Sequence, residues 1–490
     1  MASQNIVKSF RLLKDKVYIN GKWQAASKGK LFPITSPATK QKLLDVPDLC
    51  EFDVGLSILS AHKAFPAWSR SSCKYRAGLL HRLSDAMLSN EEELATIMTM
   101  ECGKPITESR QEVKYAASFF EWFAEEAMRV DGDILPNVEP NIRRLVLRQP
   151  VGVSAMITPW NFPLAMITRK VGAALAAGCT AIVKPSEETP LSALAIGQLM
   201  NELDLPDGVV NFVTCSRETT PAAGNLLCTS GLVQKLSFTG STKTGKWLLG
   251  RCADSVKRTS MELGGNAPCI VFDSADVELA AAKAIASRFR NSGQTCICVE
   301  RIYVQEGVYE EFMKHFVAGV EQLTVGNPMH DTTNIGPLIN ESGIQKVEAH
   351  VEDAIKKGAH VLCGGARLEE GSLFYKPTVL TNCSRVMHCV EQETFGPVAP
   401  VIKFKSEEDV LRLANTRESG LAGYFFSNDY KQIWRVAEQL QVGMVGVNET
   451  GISSTMIPFG GVKESGIGRE GSRYGIDEYT ELKFVCLGNV

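Results

Sequence analysis

A cysteine held in an exposed loop is a natural place to look for covalent chemistry, and Cys296 lies in the polar stretch Phe289-Arg-Asn-Ser-Gly-Gln-Thr-Cys-Ile-Cys298. Its thiolate would be a nucleophile; on these residues alone the plainer reading is a small loop residue that happens to carry sulfur. A second thiol, Cys298, follows two residues on. A bond between the two would close a very small, strained and easily reduced loop, so Cys298 reads either as half of a reversible redox switch or as a structural small residue. The other suggestive loop is Gly240-Ser-Thr-Lys-Thr-Gly245, after a strand ending at Thr239. A glycine-rich turn feeding a helix N-terminus offers N–H groups and positive dipole to a phosphate, although such turns also cap helices that bind nothing.

The elements that must position these loops read as α/β. Val277 to Phe289 has apolar residues at helical spacing and Arg301 to Gln305 reads as a strand. From Gly152 the chain alternates: strand Val153 to Ile157, helix Leu164 to Ala177 stopped by Gly178, strand Thr180 to Val183, helix Leu191 to Leu203, strand Val209 to Val213, then Lys235 to Phe238 and Ser260 to Leu263. Such alternation implies parallel strands with crossover helices, a doubly wound sheet that binds dinucleotides at strand carboxyl ends, here without the usual Gly-x-Gly-x-x-Gly fingerprint. Phe52 to Glu126 reads as long amphipathic helices, and Val17 to Trp23 as a hairpin. Past Cys296, Tyr309 to Gln322, Ile344 to Gly358 and Glu408 to Asn415 read as helices of a second α/β unit with strands such as His360 to Leu362. Asn141 to Gln149 reads as a protruding ribbon, and Glu478 to Cys486 as a strand suited to pair with it or with a neighbouring subunit. The expected architecture is a Rossmann-like NAD-binding domain from residues 1–129 and 152–263, an α/β catalytic domain from 264–464, and a small β oligomerisation arm from 130–151 and 465–490.

Composition narrows the partners. The chain of 490 residues is 44% hydrophobic and 22% charged with a formal net charge of −3, which gives no reason to expect nucleic acid or a membrane surface. Fourteen cysteines spread over this length suit free thiols in a reducing compartment, and none shows the spacing of a zinc site, so no metal is expected. Met1 to Lys16 is basic but short for a mitochondrial presequence. The expectation is the cytoplasm, with the mitochondrial matrix as the alternative.

Seven loops together resemble the NAD(P)-dependent aldehyde dehydrogenase superfamily, in its order and spacing: Pro159-Trp-Asn-Phe-Pro163, Lys184-Pro-Ser-Glu187, Phe238-Thr-Gly-Ser241, Glu262-Leu-Gly-Gly265, Gly293-Gln-Thr-Cys296, Glu393-Thr-Phe-Gly-Pro397 and Pro458-Phe-Gly-Gly-Val-Lys463. Within it, Ile167 to Leu175, Arg288 to Asn291, the Cys296/Cys298 pair and Gly466 to Tyr479 most resemble succinate-semialdehyde dehydrogenases. The resemblance implies Cys296 as the nucleophile that forms a thiohemiacetal and then a thioester. The Asn161 amide and the Cys296 N–H serve as oxyanion donors, and Glu262 as the base that activates water for deacylation. For the cofactor it implies Lys184 and Glu187 at the adenosine ribose, Gly240 and Ser241 at the pyrophosphate, Trp160 as a wall, and Glu393 with Phe395 at the nicotinamide ribose. A carboxylate at Glu187 repels a 2′-phosphate, so NAD is expected, with NADP left open by the small Ser186. Arg169, Arg290 and Ser454 are implied around the carboxylate of a small aldehyde acid, succinate semialdehyde first, with glutarate semialdehyde or neutral aldehydes as alternatives. Homo-oligomers, dimers or dimers of dimers, complete the expectation.

Overall fold

The structure is a computed structural model describing residues 10–489, so Met1 to Ser9 of the basic N-terminal stretch lie outside the described residues. Strands Val153–Ile157, Thr180–Lys184, Val210–Phe212, Lys235–Thr239 and Arg258–Glu262 alternate with helices Ala165–Ala177, Pro190–Glu202, Thr220–Thr229 and Thr242–Ala253. The strands pair in parallel, with Val153–Ile157 in the middle between Thr180–Lys184 and Lys235–Thr239. The chain winds outward on one side of that middle strand and then returns on the other. The loops after Ile157 and Thr239 therefore diverge and leave a crevice at the strand carboxyl ends. Register puts Ile157 beside Lys184 and Thr239 beside Glu262, so four of the motifs named above emerge along one edge.

A seven-stranded sheet runs in the order His360–Cys363, Thr378–Thr381, Val398–Phe404, Val299–Gln305, Ala267–Val271, Ala422–Phe426, Met444–Val447, antiparallel only at its first pair. Three of its adjacent parallel strands are entered through motif loops: Gly264–Gly265 leads into Ala267, Cys296 into Val299, and Glu393–Gly396 into Val398. Loops that are far apart in sequence thus converge at one sheet's leading edge, against the other sheet's carboxyl edge.

The long helices are Glu51–Ser69, Cys73–Ser89, Glu91–Cys102 and Ile106–Ala127. The last buries Val113, Ala116, Phe119, Phe120 and Phe123 at helical spacing against Cys73–Ser89 and Ala165–Ala177. Helix Ala165–Ala177 is buried at every position and ends on Gly178, left-handed at φ 94°. Two charged residues, Arg169 and Lys170, lie inside this otherwise apolar cylinder. Burial of that kind requires partners.

The ribbon is present. Ile142–Pro150 pairs antiparallel with Asp133–Leu135 on one side and with Thr480–Gly488 on the other, from Thr480 opposite Pro150 to Gly488 opposite Ile142. Gly466–Ile467 departs from the expected arm: it adds antiparallel to Arg258–Glu262 at the edge of the six-stranded sheet. There the Leu263 N–H donates to the Ser465 carbonyl, tying the tail to the Glu262 turn. Helix Glu341–Lys356 begins three residues before the apolar pattern does, because Asn340 caps it by accepting from the Gly343 N–H. Among the described residues no helix is long and apolar enough to cross a membrane.

Phe120 is fully buried between the packed helices. Phe120→Ala should cost about 3–5 kcal/mol, seen as a thermal midpoint several degrees lower in calorimetry; an unchanged midpoint would contradict this packing.

Candidate active site

The loop before Cys296 is held in an unusual conformation. Asn291, Ser292 and Gly293 are consecutively left-handed, with φ of 49°, 56° and 76°, a costly arrangement that persists only when the surroundings impose it. Those surroundings are identifiable. Glu108 accepts from the Asn291 N–H at 2.9 Å, the Ser292 hydroxyl donates to the Gly336 carbonyl, and the Gln294 side chain accepts from the Ile339 N–H. The Asn161 amide donates to the Gln294 carbonyl at 2.9 Å, and the Asn291 amide donates back to the Asn161 carbonyl at 3.0 Å. The two loops expected to share an oxyanion site are therefore bonded to each other.

Glu262 closes the constellation. It is buried at the end of its strand, and its Oε2 has no hydrogen-bond partner. The turn that follows packs against the nucleophile so closely that a Cβ on Gly265 would lie 2.1 Å from the Cys296 carbonyl oxygen. Only glycine fits there. Burial, then the neighbouring Glu470, pushes the Glu262 carboxyl well above its ordinary range, against Lys170, Arg169 and Arg469. Burial would raise Glu470 too, but Lys170 and Arg169 outweigh it and hold that carboxyl low. Of the two acids, Glu470 carries the charge and Glu262 the proton. The half-buried Cys296 thiol is pushed up to about 12, by burial first and then by Glu393, with Arg169 opposing. Thiol and acid are both neutral at rest.

The charges that set this balance include the expected Arg169, together with Lys170 and Glu470, to which the sequence assigned no role. Arg169 lies between the Phe119 and Phe459 rings, ion-pairs with Glu470 at 3.4 Å and donates to the Tyr115 hydroxyl at 2.7 Å. Lys170 bonds Glu470 and the Ser237 hydroxyl. Glu112, paired with Lys104, accepts from the Leu164 and Ala165 N–H groups and so fixes the start of the helix carrying Arg169. Glu108, Glu112 and Tyr115 stand three and four residues apart on one face of Ile106–Ala127, which supports both loops at once.

On the other side a fully buried ion pair, Arg288 with Glu300 at 2.9 Å, spans the nucleophile loop. Arg288 also donates to the Cys298 sulfur at 2.9 Å, to the Val299 carbonyl and to the Gly396 carbonyl. Glu300 accepts from the Thr394 and Phe395 N–H groups. Cys298 is buried against this pair, and both it and Cys296 are free thiols. Phe395 is left-handed at φ 56° and meets Trp160 edge to face at 5.6 Å. Glu393 accepts from the Gly265 N–H at 3.0 Å, and burial, then Glu300, raises its carboxyl to about 7.

The remaining candidates lie along the strand edges. Lys184 Nζ is 3.7 Å from a Glu187 carboxylate oxygen. Gly240 donates its N–H to the Glu262 carbonyl, and Ser241 caps helix Thr242–Ala253, accepting from the Thr244 N–H. The Thr158 and Thr239 hydroxyls, next to these loops, are buried without partners. Buried donors, a capped helix start and an adjacent lysine–carboxylate pair suit the ribose and phosphate groups of a dinucleotide. Arg290 stacks over Phe162 at 5.0 Å and lines a cavity of about 240 Å³ with Thr295, Ile297, Cys298 and Thr450. Ser454 accepts from the Met456 N–H; the hydroxyl that reaches Arg169, through Tyr115, belongs to its neighbour Ser453.

A loop thiol, an amide on the adjoining loop and a buried acid, between a dinucleotide-type sheet edge and a second α/β layer, are the groups that covalent aldehyde oxidation would need. The chain belongs to the aldehyde dehydrogenase family, whose pattern it matches over residues 23–485. Among its relatives, the mitochondrial succinate-semialdehyde dehydrogenase of Rattus norvegicus is 54% identical over 98% of this chain and 91% of its own length. The 3-sulfolactaldehyde dehydrogenase of Pseudomonas putida is 50% identical over 98% of each. The crystal structure of succinate-semialdehyde dehydrogenase from Burkholderia pseudomallei superposes with a TM-score of 0.96 at 47% identity, over 98% of this chain and all of that one.

A thiol held this high should be unreactive at neutral pH without cofactor. Alkylation of Cys296 by iodoacetamide, followed by mass spectrometry of its peptide, is expected to accelerate about tenfold per pH unit from 7 to 10; a plateau below pH 8 would show a thiolate already formed.

Proposed function

We propose that this enzyme oxidises succinate semialdehyde to succinate with NAD, through a covalent intermediate on Cys296. The observation that carries the reading is the convergence of Cys296, Asn161 and Glu262 beside a buried Arg169 and next to the Arg290 cavity. It is supported by relatives that include both a succinate-semialdehyde and a 3-sulfolactaldehyde dehydrogenase. Both substrates named for these relatives are short aldehydes with an anion at the far end. Two arginines near the nucleophile suit that chemistry.

The chain's own groups account for each protein-side step. Glu262, charged when its proton has left, takes the Cys296 proton, and the thiolate adds to the aldehyde carbon to give a thiohemiacetal. Asn161 and the Cys296 N–H hold the oxyanion; one such donor is commonly worth about a hundredfold in rate. NAD, when bound, accepts the hydride whose departure leaves a thioester. After giving up the first proton to solvent, Glu262 draws a proton from water, which attacks the thioester carbonyl; the C–S bond breaks, succinate leaves, and the Cys296 thiolate takes the proton back from Glu262. The Glu470–Lys170–Arg169 cluster keeps a fixed charge beside Glu262, so proton uptake and release stay with that residue.

For the cofactor, Glu187 with Lys184 takes the adenosine ribose, Ser241 and Gly240 the pyrophosphate, and Glu393 with Phe395 and Trp160 the nicotinamide end. Glu187 disfavours a 2′-phosphate. Cys298 has a second role open to it, a disulfide with Cys296, for which it would first have to leave Arg288. Assembly into homodimers or tetramers through the arm is supported by exposed Ile134, Leu147, Leu482 and Phe484 on its three strands. The cytoplasm remains the assignment drawn from the sequence, and the mitochondrial naming of the rat relative favours its alternative, the matrix.

The test is a substrate series. Arg290→Ala should lower kcat/KM for succinate semialdehyde about ten- to a hundredfold, the effect of losing a charge-assisted bond of about 1.5–3 kcal/mol, while propanal oxidation stays as in the wild type. If the wild type oxidises propanal as well as succinate semialdehyde, the substrate assignment fails. A higher rate on glutarate semialdehyde or 3-sulfolactaldehyde would move it to that acid.

A further inference from the structure

Glu187 and Glu393, which the preceding reading sets at the two riboses of the cofactor, belong to different sheets, and one helix reaches the neighbours of both. At its N-cap, Asn340 turns its side-chain amide to Glu188 and donates at 2.8 Å, next to Glu187. Three turns on, His350 is buried and its Nδ1 lies 3.1 Å from the Thr394 hydroxyl, while the ring also bonds the Gln392 side chain. Gln392 and Thr394 flank Glu393. Between these ends Val347 packs on the same loop, where a Cβ on Gly396 would meet it at 2.3 Å.

We propose that helix Glu341–Lys356 is a brace that fixes the spacing between the two ribose-binding carboxylates, with Asn340 and His350 as its positioning residues. From Asn340 to His350 is ten residues, roughly 15 Å along a helix, and a packed helix transmits that length without slack. Neither residue touches the reacting groups. Each acts through a carboxylate's neighbour: Asn340 through Glu188, His350 through Gln392 and Thr394.

The contacts at the His350 end are directional. Burial, then Lys346 and His388, lowers the imidazole to about 4 against Asp353 and Gln392, so the ring is neutral at assay pH, with one nitrogen a donor and one an acceptor. The Thr394 hydroxyl can both give and take a hydrogen bond. Glu300 holds the Thr394 and Phe395 N–H groups from the opposite side. The loop is therefore gripped at its backbone by the strand and at its side chains by the helix. Removing the His350–Thr394 contact leaves the backbone contacts standing, so the effect of Thr394→Val should fall on cofactor affinity rather than on folding.

This proposal rests on the ribose assignment of Glu187 and Glu393, and the experiment separates the two. NADH binding to the full-length protein is followed by fluorescence titration, with steady-state kinetics alongside. Thr394→Val, nearly isosteric, and Asn340→Ala are each expected to weaken NADH binding about three- to tenfold, as loss of one hydrogen bond would, with KM for the aldehyde unchanged and Thr394→Ser restoring affinity. His350→Ala should match Thr394→Val. Because a brace released at one end no longer holds the other, Asn340→Ala combined with Thr394→Val should bind NADH no more weakly than the worse single variant. Effects that multiply instead would mean two independent local contacts and overturn the brace. So would wild-type NADH affinity in Thr394→Val and Asn340→Ala while Glu187→Ala and Glu393→Ala weaken it. If those two carboxylate variants themselves bind NADH normally, the ribose assignment fails and the brace with it.

Discussion

The buried ion pair between Arg288 and Glu300 is the contact on which the rest of the site's geometry depends. Taking both charges out of water costs several kcal/mol per ion, so the pair is poor evidence for stability. Its worth lies in what it orients. Arg288 ends the helix before the nucleophile and Glu300 lies in the strand after it, so the pair closes the base of the Cys296 loop. Arg288 also donates to the Cys298 sulfur and the Gly396 carbonyl, and Glu300 accepts from the Thr394 and Phe395 N–H groups. One interaction thus sets the nucleophile loop and the Glu393 loop in fixed relation. Because both loops enter neighbouring parallel strands, a small error at the pair would displace Cys296 and Glu393 together.

A second group of buried charges faces the first across the cleft. Glu470 is held ionised by Lys170 and Arg169, and burial, then the charge of Glu470, raises the Glu262 carboxyl. Burial keeps the proton on Cys296 as well. The architecture explains how so many charges are kept in place: helix Ile106–Ala127 lines Glu108, Glu112 and Tyr115 along one face, reaching the Cys296 loop, the helix of Arg169 and Arg169 itself.

Much of this was legible in the sequence. Alternating apolar strands and helices from Val153 to Glu262 gave the doubly wound sheet, since a fully buried parallel strand is a short uninterrupted apolar run. The chemistry-bearing loops could be named because each carries glycine, proline or an isolated polar residue at an element's end. The supporting charges were not found. Glu108 and Glu112 lie on an amphipathic helix, where acids ordinarily face water, and only tertiary packing turns them inward. Arg288 pairs with Glu300 across the Cys296 loop, and Glu470 reaches Arg169 and Lys170 from the far end of the chain, contacts that no local period reports. A signal did exist: Arg169-Lys170 inside a helix otherwise apolar, and Glu300-Arg301 inside an apolar strand, are charges that a buried element carries only with partners. Several strands of the second sheet, among them Thr378–Thr381 and Met444–Val447, are too short for their alternation to stand out. Ser454 illustrates a different limit, since among three adjacent hydroxyls only the fold shows that Ser453 is the one joined to Tyr115.

The central claim is that Cys296 carries the acyl group and Glu262 releases it. Rapid mixing of Glu262→Gln enzyme with NAD and succinate semialdehyde, followed by acid quench and peptide mass analysis, tests it directly. The account predicts a burst of about one NADH per active site, then near arrest, with a succinyl group on the Cys296 peptide. Continued turnover at the wild-type rate, or an acyl group on any other residue, would contradict it.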